Sequence, residues 1–277
     1  MLSDISYKIR RKWNNLRTVQ LPLGHGPAGK DKISLVLYLD YEREFGHPMA
    51  IHTAQAGFER VFHILHSQGI RATWNCVGLI AEHYPETIIR LIESGQEIAS
   101  HTHNHCNPLN VSTDALISDL SQTKNVFWHR FAINIKGFHA PEDGWRACLA
   151  DILSGLGYEY AFDRGMNPRH AALCHDYLSG GRQKGASLLK IPSINDDWAF
   201  MEGASPREVL SSWQETLDNV PMGSASAMGF HPWVLGRDDA WLGAFAAFLY
   251  SALNRRDTVL YTGEEIASWY KGKKAPA

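Results

Sequence analysis

From Ile33 to Tyr261 the chain alternates short apolar runs with amphipathic stretches, and most of the runs stop at residues that ionise. The first run, Ile33-Ser34-Leu35-Val36-Leu37-Tyr38-Leu39, is apolar on both alternating sets of positions and ends at Asp40. A strand apolar on both faces is buried on both, as in a parallel sheet covered by helices. Further strands are predicted over 72–77, 97–100, 135–138, 158–162, 188–191, 225–230 and 258–261. Helical spacing falls over 54–66, 85–91, 113–128, 145–154, 206–217, 239–253 and 264–270. Strand-then-helix order, repeated, puts the strands parallel and the helices outside. One domain of barrel type over residues 31–277 is the expected architecture.

The position of the polar residues says more than their number. Asp40 and Glu42, His101 to His105, His139, Asp196 and Asp197, and His231 each follow a predicted strand. In a barrel of parallel strands those ends share one face, where active sites are built. Within Ser100-His101-Thr102-His103-Asn104-His105 three histidines alternate, and imidazole is the commonest protein ligand for zinc-like ions. An extended backbone would turn all three one way, whereas a helical turn would pair His101 with His105. Spacing alone keeps His103 in play. His47, His52, His63, His66 and His83 lie away from strand ends and read as ordinary surface or packing residues.

Composition narrows the function. With 27 basic and 29 acidic residues there is no basic excess for nucleic acid. The four cysteines are scattered without a Cys-x-x-Cys pair, which argues against a structural zinc site or a disulfide framework. No apolar run has transmembrane length and no cleavable leader is evident, so a cytoplasmic setting is expected. Residues 1–20 carry Ile5, Ile9, Trp13 and Leu16 at helical spacing, flanked by Lys8, Arg11 and Lys12. This reads as a basic amphipathic helix, continued by a linker to residue 30, that either packs on the domain or lies on an anionic membrane surface.

Four segments, in this order, resemble the carbohydrate esterase family 4, or NodB-homology polysaccharide deacetylase, family. They are Gly69-Ile70-Arg71-Ala72-Thr73-Trp74-Asn75-Cys76-Val77-Gly78, the segment from Gly95 to His105 with its His101-Thr102-x-x-His105 motif, Gly137-Phe138-His139-Ala140-Pro141 and Gly229-Phe230-His231-Pro232. The resemblance implies a distorted barrel of seven or eight β/α units that hydrolyses acyl groups on sugars. It implies a divalent cation, zinc before others, held by His101, His105 and Glu42. Asp40 would be the general base and His231 the general acid, supported by Asp196 or Asp197, with Asp197 preferred and Trp198 walling the pocket. His139 stands where the family has an arginine that holds the catalytic aspartate.

The expected substrate is an amino sugar, small or lipid-linked, that loses an N-acetyl or N-formyl group. The spaced pair Asp40-Tyr41-Glu42 replaces the family's adjacent aspartates. Relatives resembling allantoinase carry Tyr-Glu here and work without metal, so a metal-independent amidohydrolase stays open. The missing arginine leaves a catalytically silent carbohydrate-binding barrel open as well.

Overall fold

The computed structural model describes residues 18–20, 25–42, 51–164, 174–177 and 187–274. Ten strands form in chain order: β1 Thr18–Gln20, β2 Ile33–Tyr41, β3 Thr73–Cys76, β4 Glu97–Ser100, β5 Gly137–His139, β6 Tyr160–Arg164, β7 Cys174–Tyr177, β8 Ser187–Asn195, β9 Ala225–Phe230 and β10 Thr258–Tyr261. Seven of them close a parallel ring, β2-β3-β4-β5-β6-β8-β9, with β9 returning to pair β2. This is the distorted β/α barrel of the deacetylase type that the sequence predicts. At its lower end β10 pairs the first half of β2, on the edge whose second half pairs β3.

The helices are α1 Ile51–Ser67, α2 Gly78–His83, α3 Pro85–Glu93, α4 Thr113–Phe131, α5 Leu149–Gly155, α6 Pro206–Asn219, α7 Pro232–Leu235, α8 Asp239–Asn254 and α9 Gly263–Lys274. Period-two alternation splits the apolar residues of β2 between two cores. Ile33, Leu35, Leu37, Leu39 and Tyr41 join the layer between strands and helices, with Phe58, Val61 and Leu65 of α1. Val36 and Tyr38 face the barrel interior with Tyr160, Phe162, Leu189 and Ile191. Ile266, Ala267 and Tyr270 of α9 pack into that interior cluster.

Three expectations change. Thr18–Gln20 is a strand antiparallel to β7, not the end of a helix; the rest of the segment expected as an amphipathic helix, residues 1–17, lies outside the described residues. The strand predicted at 188–191 runs to Asn195, which brings Asp196 and Asp197 directly to its end. Residues 145–154 form a shorter helix, α5, preceded by a 3-10 turn at Pro141–Asp143. No helix among the described residues is long and apolar enough to cross a membrane.

Candidate active site

Five strand ends bring the ionisable residues together. Asp40 and Glu42 lie at the end of β2, two positions apart and therefore on one side. His101 follows β4 directly, His139 closes β5, Asp197 follows β8 by two residues, and His231 follows β9. All of them are buried. Asp40, Glu42, His101, His105, His139 and His231 line a cavity of about 320 Å³, walled further by Tyr38 and Trp198.

The loop after β4 decides between the histidines. Thr102 and His105 take left-handed backbone angles, φ 62° and 55°, which for a β-branched threonine must be held by its surroundings. Asp119 of α4 supplies the hold, accepting from His103 N at 2.5 Å, Asn104 N at 3.2 Å and Asn104 Nδ2 at 2.8 Å. The amide of Cys106 donates to Thr102 Oγ1 at 3.0 Å. So curled, the loop sets the rings of His101 and His105 5.1 Å apart. His103, which spacing alone keeps in play, turns away: its ring lies against Gly78, where a Cβ would strike it, and its Nε2 is 2.8 Å from Gln122 Nε2.

Both remaining imidazoles converge on Glu42. Its Oε2 lies 2.9 Å from His101 Nε2 and 2.5 Å from His105 Nε2. His101 Nδ1 donates to the carbonyl of His139 at 2.9 Å, which turns Nε2 toward Glu42. The other carboxylate oxygen of Glu42 accepts from Trp233 Nε1 at 3.1 Å. His105 Nε2 is buried without a hydrogen-bond partner despite its nearness to Glu42. Two imidazole nitrogens and a carboxylate oxygen, all within 4.8 Å of one another, are a donor set that could hold a divalent cation, and an orphaned nitrogen among them fits such a group.

Asp40 and His231 lie beside this set. His139 Nδ1 donates to both oxygens of Asp40, at 3.0 Å each. His231 donates twice to Asp197, from its backbone N at 2.7 Å and from Nδ1 at 2.5 Å. Its Nε2 is 3.7 Å from Asp40 Oδ2 and 3.7 Å from Glu42 Oε1, facing the cavity. Burial pushes the Asp40 carboxyl up, but His139, with His101 and His231, outweighs it and leaves Asp40 below the usual carboxylate range. Glu42 stands well below that range, since His105 and His101 overcome its burial. Burial lowers His231, yet Asp197, with Glu42 and Asp40, more than offsets this and carries the imidazole up to about 10. These shifts favour the ionised form of Asp40 and Glu42 and the protonated form of His231.

Of the two adjacent aspartates, Asp197 holds the imidazole, while Asp196 pairs with Arg164 at the cavity wall. Four cavity or supporting residues escape the sequence reading. Asp143 and Arg164 sit at the ends of β5's turn and of β6, where the strand-end rule would have found them. Asn75 is masked by its apolar neighbours in β3, and Trp233 reads as core.

Residues 39–161 match the family model described as polysaccharide deacetylase. No curated protein matches the sequence. Among solved structures, a Mycobacterium smegmatis protein described as a polysaccharide deacetylase shares 19% identity with a TM-score of 0.75, covering 93% of this chain and 94% of that one. A Puue allantoinase shares 16% with a TM-score of 0.77, over 93% and 96%. A CE4 family pseudoenzyme from Bacillus anthracis shares 13% with a TM-score of 0.56, over 86% and 66%. Identities this low speak for the fold alone. The family match covers less than half of the chain, and the solved structures add a likeness of fold.

Proposed function

We propose that the protein is a divalent-metal-dependent hydrolase, with zinc as the metal, that removes an N-acetyl or N-formyl group from an amino sugar, a small or lipid-linked glycan precursor. One observation carries the reading: Asp40 and His231, 3.7 Å apart, line one cavity together with the Glu42, His101 and His105 donor set. A divalent cation on those three side chains would polarise the acyl oxygen and acidify a water. Asp40, held ionised by His139, takes the proton of the attacking water. His231, kept protonated by Asp197, gives its Nε2 proton to the nitrogen as the amide C–N bond breaks. Trp198, its ring 5.6 Å from that of His231, offers an apolar face to the sugar.

The test is acid release from N-acetylglucosamine and its N-formyl counterpart by zinc-loaded protein. Release should vanish on chelation and return with zinc. Zinc-loaded protein that binds these sugars but frees no acid would leave a silent binding barrel instead. A second reading is favoured by Asp40-Tyr41-Glu42 and by the likeness in fold to an allantoinase. On that reading, ring opening of allantoin would persist in chelator.

A further inference from the structure

A carboxylate that must take a proton from one direction needs two points of attachment, as a guanidinium fork provides. His139 offers Asp40 a single N–H, placed equally between both oxygens at 3.0 Å. That bond alone leaves the carboxylate free to swing about its own axis. Asn75 supplies the second point. It is the register partner of Asp40 in the β2–β3 pair, and its Nδ2 donates to Asp40 Oδ1 at 2.8 Å.

The amide gains nothing else from this placement, for Asn75 is fully buried and its Oδ1 has no hydrogen-bond partner. Turned over, it would set an oxygen against the carboxylate, so Asp40 fixes its orientation. A buried acceptor left unmade is a cost that an apolar side chain in β3 would avoid. The ring of His139 is in turn held on its far side: Nε2 lies 3.3 Å from Asp143 Oδ1, and Asp143 Oδ2 lies 3.3 Å from Arg164 Nε.

We propose that Asn75 and Asp143 are positioning residues for Asp40, which together with His139 replace the two-point hold of a single guanidinium. This rests on Asp40 being the base. Asn75→Leu and Asp143→Asn in the full chain, each alone and combined with His139→Arg, test it by three measurements. Crystal structures should show the Asp40 carboxylate rotated in both single variants. Zinc affinity, by competition with a chromophoric chelator, should stay at the parent value. On N-acetylglucosamine kcat should fall about 10–100-fold with KM unchanged, and the Asn75→Leu loss should shrink in the His139→Arg background, where a fork reaches both oxygens.

An unmoved Asp40 in the single variants would overturn the proposal, as would a loss of equal size in both backgrounds. If His139→Arg does not fold, the single-variant crystal structures decide. If the parent protein releases no acid from any N-acyl amino sugar, the functional reading fails, while carboxylate orientation still settles this one.

Discussion

Asp40 and Glu42 are two residues apart, point the same way and share histidine neighbours, yet they face different atoms. Glu42 faces two imidazole nitrogens, whereas Asp40 faces N–H donors from His139 and Asn75. Glu42→Gln should therefore abolish zinc binding in a metal-competition titration. Asp40→Asn should keep the metal and lower turnover by about 10²–10⁴-fold, the usual cost of a lost proton transfer. Asp197 gives a second test through pH. Because it, with Glu42 and Asp40, carries His231 up to about 10, the acid stays protonated below that value. Asp197→Asn removes the main raising influence and should move the alkaline limb of the kcat/KM profile to lower pH. The sign for stability agrees: a raised histidine pKa stabilises the fold fully below its ordinary value near 6.5, and that contribution is lost as pH rises toward 10. The strand-end histidines and carboxylates were legible in the sequence because they interrupt apolar runs. Asn75 was not, since its importance lies in a register with β2 that no local pattern encodes.

Two short connections control the site. In the first, the loop from His101 to Cys106 hangs on the carboxylate of Asp119, which is buried and accepts three N–H groups. Asp119→Ala should leave those amides unpaired, cost about 1–3 kcal/mol in urea unfolding and weaken zinc binding about 10–100-fold, the range seen when groups that orient a ligand are removed. In the second, α7 begins at Pro232, right behind His231, and is backed by Gly57 of α1. A Cβ on Gly57 would lie 2.6 Å from Pro232 C and 2.9 Å from Trp233 Cα, both backbone atoms that cannot swing aside. Gly57→Ala should cost about 1–3 kcal/mol and lower kcat by shifting His231, as thermal melting and kinetics on one preparation would show. Helix α7 is only four residues long, too short for periodicity to reveal. Strand β7, Cys174-His175-Asp176-Tyr177, has no apolar run for an observer of sequence to find.

At the scale of the molecule, the barrel was legible because each of its strands is buried on two sides, and such strands read as apolar whatever their order. What the pattern could not give was closure. The ring shuts where β9 pairs β2 over Ser34 to Leu39, and β10 wedges beside the same strand lower down. Strand β2 thus meets β3 on one edge and β9 on the other, neighbours in space drawn from opposite ends of the barrel sequence. During synthesis, then, the strand that bears Asp40 must wait with one edge unpaired until nearly the whole barrel has left the ribosome. An apolar strand with a waiting edge invites pairing with other chains. Under the proposed function the residues that would hold metal, Glu42, His101 and His105, emerge early and the proton donor His231 late, so a nascent chain would own a zinc site long before it owned a reaction.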